Sequence, residues 1–169
     1  KCDYIYVLGI SMGALLAMHL STLFPVHGVI SAAPVLEFNK PFKVHVLNRL
    51  LCRIVKYRRK KYEITSGQKN FYGYNKWPLI GLDEVRKLSN YIYRDVISNI
   101  TCPCLLIHSK NDYTSVFNNH KILRNKLKAN DVDSLIVNQS PHNIFDCDLE
   151  KELIHKAIID FIIETSVPS

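Results

Sequence analysis

Gly9-Ile10-Ser11-Met12-Gly13 is the stretch whose reading decides the fold of this 169-residue chain. An apolar run, Tyr4 to Leu8, leads into it, and a helical pattern rich in Ala and Leu leads out. The pattern predicts a strand, a sharp turn and a helix, with a serine at the apex. Glycines on either side let strand and helix approach closely while Ser11 takes a strained backbone conformation and presents its hydroxyl. The first free N–H of the helix, that of Met12, points to where an oxyanion forms if Ser11 attacks a carbonyl. Chance alone places G-x-S-x-G in on the order of one chain in twenty of this length. A base and an acid must therefore come from elsewhere in the sequence.

Working outward, Tyr4 to Leu8 shows no alternation, which suits a strand covered on both faces, as in a parallel sheet. From Met12 to Phe24 the residues Leu15, Leu16, Leu20 and Leu23 keep helical spacing, and Pro25 closes the helix. Gly28 to Ala33 is a second buried strand ended by Pro34, so the two strands and their helix make a right-handed βαβ unit. Residues 39 to 98 break this rhythm. Phe42, Val46, Leu47, Leu50, Ile54 and Val55 fall on one helical face, with Arg49, Arg53 and Lys56 on another. A basic knot, Tyr57 to Tyr62, then precedes an aromatic loop, Phe71 to Pro78, and a helix over Leu82 to Ile97. The alternation resumes with a strand at Cys104 to His108, a helix from Ser115 to Leu127, a strand at Ser134 to Val137 and a closing helix that directs Leu153, Ala157, Ile158 and Phe161 inward. The expected architecture is α/β: a four-stranded parallel sheet flanked by helices, built from residues 1–38 and 99–166, with residues 39–98 as a helical cap.

Composition narrows the class. The chain is large enough for a core without metal or disulfide staples. It holds no apolar run near the roughly 18 residues of a membrane span and no signal-peptide layout at its first residues. The expected compartment is the cytoplasm. Five scattered cysteines, Cys2, Cys52, Cys102, Cys104 and Cys147, argue against a disulfide framework, and Cys102-Pro103-Cys104 has neither redox nor zinc spacing. No metal and no cofactor is expected. The formal charge of +7 is local: from Lys40 to Lys61 there are nine basic residues and no acidic one. That stretch could attract an anionic lipid surface, but a solvated lid is the preferred reading. Nucleic-acid binding has no motif behind it.

Ser11, Asp112 and His142 share one structural address, the C-terminal end of a parallel strand, where α/β sheets place ligand sites. A serine hydroxyl needs an imidazole to take its proton, and the imidazole needs a carboxylate to hold its tautomer. The order Ser, Asp, His is the one that accompanies a nucleophile elbow. Asp131, Asp133 and Asp146 compete for the acid's role, but only Asp112 follows a buried strand and precedes a helix. Among the histidines, His108 lies within a strand and reads as a core residue. His120 reads as a solvated helix residue, and His19 as packed or on the surface.

With these residues in place the chain resembles the α/β-hydrolase superfamily, and within it the small carboxylesterases and monoacylglycerol lipases that carry a helical cap between the sixth and seventh strands. The resemblance implies Ser11 as nucleophile, His142 as general base and then acid, Asp112 as its orienter and the Met12 N–H as one oxyanion donor. It implies an acyl ester as the substrate, with Phe42, Leu47, Leu50 and Trp77 as candidates for lining an acyl pocket or for the cap's own small core. Pro141 stands where such hydrolases commonly have Gly, which stiffens the histidine loop. In these hydrolases the elbow follows the fifth strand, so the earlier strands and the loop supplying the second oxyanion N–H are expected to precede Lys1. The 169 residues are therefore expected to be the C-terminal half of a domain whose other half is the missing partner. Losing one oxyanion donor costs about 100- to 1,000-fold in rate, so little activity is expected of this piece alone. Thioester cleavage, acyl transfer and peptide hydrolysis use the same triad, and a non-catalytic half domain is the reading from another class.

Overall fold

The computed structural model describes residues 2–59 and 76–166. Lys60, Lys61 and the segment 71–75 of the expected aromatic loop lie outside the described residues. The chain enters through β1 (Tyr6–Ile10), α1 (Met12–Leu23) and β2 (Gly28–Ala32). A π-helical stretch, Lys43–Asn48, continues into the short α2 (Arg49–Leu51), and β3 (Tyr57–Arg59) pairs antiparallel with β4 (Lys76–Pro78). Helix α3 (Leu79–Tyr91) runs on through a π turn, Ile92–Val96, and a 3-10 turn, Ile97–Asn99. Then follow β5 (Cys104–Ser109), α4 (Asn118–Lys126), β6 (Val132–Val137) and α5 (Lys151–Ser166).

The main sheet is parallel throughout, in the order β1-β2-β5-β6. Every residue of β2 and β5 is buried, which is why both read as largely apolar runs without alternation. Their alternate side chains feed two cores. Val29, Cys104 and Leu106 pack with Leu15 and Met18 of α1, with Ile92, Val96, Ile97 and Ile100, and with Leu123 of α4. Ile30, Ala32, Leu105 and Ile107 pack on the opposite face with Val137, Ile144, and Ile154 and Phe161 of α5. Ile92, Val96 and Ile97 thus belong to the core of the sheet, although the sequence places them inside the insertion.

Several details differ from the sequence reading. The first strand begins two residues later than expected, and where cover on both faces was expected Ile5 and Leu8 are about half exposed; its place at the edge of the sheet is the one expected of it without the earlier strands. In α1 the buried face is Ala14, Leu15, Ala17 and Met18, while Leu16, Leu20 and Leu23 face outward. In α5 it is Ile154 that enters the core, and Leu153 is exposed. The face Phe42, Val46, Leu47, Leu50, Ile54 and Val55 is exposed as well. Val44, Asn48 and Cys52, spaced by four, form the buried stripe, and the Asn48 side-chain amide donates to the Leu79 carbonyl (3.0 Å), tying this segment to α3. All five thiols are free: Cys52, Cys104 and Cys147 are buried, Cys102 is half-buried and Cys2 is exposed. No helix among the described residues is long and apolar enough to cross a membrane.

Candidate active site

The turn between β1 and α1 holds Ser11 at φ 58° and ψ −118°, one of two non-glycine residues with positive φ among those described; the other is Ala33. An L-residue is held in such a conformation only when its surroundings over-determine it. Here the Ser11 N–H donates to the Ala32 carbonyl at the end of the neighbouring strand (2.9 Å). Gly9 explains the close approach of strand and helix, because a Cβ there would lie 2.1 Å from the Gly13 carbonyl oxygen. Gly13 does not share this role: a Cβ on it would meet nothing within 4 Å. Met12 is the first residue of α1, so its N–H has no acceptor within the helix.

The loop after β5 carries Asp112, whose side chain is buried. Its Oδ1 accepts the N–H groups of Thr114 (2.8 Å) and Ser115 (2.9 Å), which fixes the carboxylate plane. Its Oδ2 lies 2.7 Å from His142 Nδ1, and His142 Nε2 lies 2.9 Å from Ser11 Oγ. Three residues separated by up to 131 positions thus form one hydrogen-bonded line. With Nδ1–H donating to the carboxylate, Nε2 is free to accept the serine proton. The imidazole is about one quarter exposed, so a substrate can reach it from outside.

Beneath the acid loop lies a group that sequence reasoning only half found. His108 is buried, and its Nε2 donates to the Ser115 carbonyl (3.0 Å) while lying 3.9 Å from Asp112 Oδ2. His120 is buried too, not solvated as its helical position suggested, because its ring stacks on Phe117 (centroids 5.6 Å) and meets His108 edge-on. Burial lowers both rings below the usual imidazole range, for His108 against the Ser115 hydrogen bond and the Asp112 charge.

The candidate pocket residues lie apart from this line. Phe42, Leu47, Leu50 and Trp77 are all exposed. Leu50 borders a cavity of about 580 Å³ shared with Arg49, Cys52, Arg53, Asp83, Arg86 and Lys87, a basic lining rather than an apolar one. A neighbouring cavity of about 400 Å³ is bounded by Cys52, Arg53, Lys56, Tyr57, Pro78 and Ile80. Neither includes Ser11, Asp112 or His142. Among the described residues no group of three His, Cys, Asp or Glu side chains could hold a metal ion.

Neither a protein-family model nor a curated protein sequence matches the chain. Solved structures do. A monoacylglycerol lipase from Paleococcus ferrophilus superposes with a TM-score of 0.79 at 18% identity over 96% of this chain and 69% of its own. The metagenome-derived lipolytic enzymes LipS and LipT are represented at a TM-score of 0.82, 20% identity, 97% of this chain and 66% of that one. A soluble variant of monoglyceride lipase from Saccharomyces cerevisiae gives 0.74 at 12%, over 94% and 64%. The chain has the α/β-hydrolase fold. It spans about two thirds of the length of these neighbours.

Proposed function

We propose that this chain carries the catalytic residues of a serine hydrolase that cleaves carboxylic esters of acyl chains, with monoacylglycerols as the first substrate class to examine. The observation that carries this reading is the line Ser11 Oγ–His142 Nε2 (2.9 Å) and His142 Nδ1–Asp112 Oδ2 (2.7 Å), beginning at a strained serine that precedes a helix N-terminus. In the proposed reaction Ser11 Oγ attacks the ester carbonyl as its proton passes to His142 Nε2. The resulting oxyanion receives the Met12 N–H, and Asp112 steadies the imidazolium. Collapse of the intermediate expels the alcohol with the proton held by His142 and leaves an acyl-Ser11. Water then gives a proton to His142 as it attacks the acyl carbon; collapse of this second intermediate breaks the bond to Ser11 Oγ, which takes the proton back from His142, and the acid is released.

The segment between β2 and β5 is proposed as a cap over this line. Its entry supports that: Asn39 Nδ2 donates to the Tyr113 carbonyl (3.0 Å), and Phe38 bridges Ser115, both beside the acid loop. Activity is proposed to require further strands against the outer edge of β1. The exposed Ile5 and Leu8 and the outward Leu16, Leu20 and Leu23 favour this, as does the third of each neighbour's length that this chain does not match.

A fluorophosphonate probe tests the reading. The full-length protein is expected to be labelled at Ser11, and its Ser11→Ala variant to remain unlabelled. Asp112→Asn should slow ester turnover on the order of 10⁴-fold by permitting the wrong tautomer. Equal labelling of the protein and Ser11→Ala would refute the assignment. Rates on p-nitrophenyl esters of graded length then define the acyl chain, and activity confined to acetate would exclude long-chain lipolysis.

A further inference from the structure

We propose that Glu150 is a positioning residue for His142, acting through a carboxylate grip on the loop that carries the imidazole and not through contact with reacting atoms. The inference rests on the reading of His142 as the catalytic base. Strand β6 ends at Val137, and the next three residues turn away from the ladder, so their N–H groups need other acceptors. Glu150, at the residue before α5, supplies them all. Its Oε1 accepts from Asn138 N (2.9 Å) and Gln139 N (3.2 Å), and its Oε2 accepts from Gln139 N (3.1 Å), Ser140 N (2.7 Å) and the Ser140 hydroxyl (2.5 Å). An acidic residue at this place would ordinarily face the N-terminus of its own helix. Here the carboxylate reaches back ten to twelve residues instead.

The grip reaches the other side of the site. The Ser140 carbonyl accepts the Ser109 hydroxyl (2.5 Å), Ser109 Oγ accepts the Asn111 N–H (3.1 Å), and the Asn111 side-chain amide donates to the Gln139 carbonyl (3.2 Å). Glu150 therefore closes a chain of bonds that joins the loop of His142 to the loop of Asp112, two residues short of the imidazole on one side and one residue short of the carboxylate on the other. Burial on its own would raise the Glu150 carboxyl. The Ser140 hydroxyl and the three backbone amides outweigh that and hold it below its ordinary range, so the grip is charged at neutral pH. Replacing one carboxylate oxygen by an amide NH₂ sets a donor against donors and releases the loop. A displacement of about 1 Å at a catalytic group costs on the order of 100-fold in rate.

The test is Glu150→Gln in the full-length protein, with Glu150→Asp as the conservative variant and Leu123→Ala, a core change away from the site, as a control for lost stability. The first readout needs no turnover. In ¹⁵N-histidine-labelled protein the His142 Nδ1 proton held by Asp112 gives a far-downfield resonance, identified by its loss in His142→Gln. It is expected to vanish or move in Glu150→Gln, to return in part in Glu150→Asp and to persist in Leu123→Ala. Ester turnover should fall about 10- to 100-fold in kcat in Glu150→Gln with KM within about two-fold. An unchanged resonance and unchanged kcat, or equal losses in Leu123→Ala, would overturn the positioning role while leaving the triad standing. A parent protein that lacks the resonance and is not labelled at Ser11 would defeat the triad reading and this inference together.

Discussion

Two glycines four residues apart, Gly9 and Gly13, look equivalent in the sequence and are not. A Cβ at Gly9 would sit 2.1 Å from the Gly13 carbonyl oxygen, a contact that only backbone movement can relieve. Gly9→Ala is therefore expected to destabilise the chain by about 1–3 kcal/mol or more, seen as a lower urea midpoint. Gly13→Ala meets open space and should be neutral or stabilising by up to about 1 kcal/mol, because Ala favours the helix. The site residues differ in legibility for a similar reason. Ser11, Asp112 and His142 each stand just beyond an apolar run, and the G-x-S-x-G motif with the order Ser, Asp, His singled them out. The surroundings of His120 and Glu150 did not stand out, because they depend on how loops fold back and not on periodicity. His120 is covered by Phe117 and His108, and Glu150 sits in the acidic stretch Asp146 to Glu152, which looks like any wetted helix start.

The elements show where helical spacing misled. A count by fours from Phe42 selects Val46, Leu50 and Ile54, all exposed. Lys43–Asn48 is π-helical, which rotates the following residues, and the buried stripe includes Asn48, a polar residue that an apolar count passes over. In the region of β5 and α4 the buried histidines make stability depend on pH. Both have folded-state pKa values below the 6.5 of the free imidazole, so the unfolded chain binds protons first. Their contribution is fully present above about pH 6.5 and is lost as pH falls through the folded values, with a limiting slope of about 1.4 kcal/mol per pH unit for each ring. Urea midpoints measured from pH 7.5 to 5.5 should therefore fall. The fall should be smaller in His120→Phe, which keeps a ring on Phe117 without a proton to bind.

At the scale of the molecule, β2 and β5 decided the architecture because both faces of each are covered, and a strand of that kind leaves an unmistakable apolar run. Charge is divided just as sharply. Residues 39–98 hold 14 of the 22 Lys and Arg but only 4 of the 15 Asp and Glu, so the α/β core by itself is mildly acidic. The edge position of β1 also has a practical outcome. Among the described residues its Tyr6–Ile10 backbone pairs on one side only, with β2, and an edge row of amide groups beside Leu8 is a template for another chain. In solution this chain by itself is expected to aggregate strand to strand, with light scattering that rises with protein concentration. Leu8→Lys, which adds a charge to that row, should keep it dispersed. Its shelf life in the tube is then governed by five residues at one margin of the sheet.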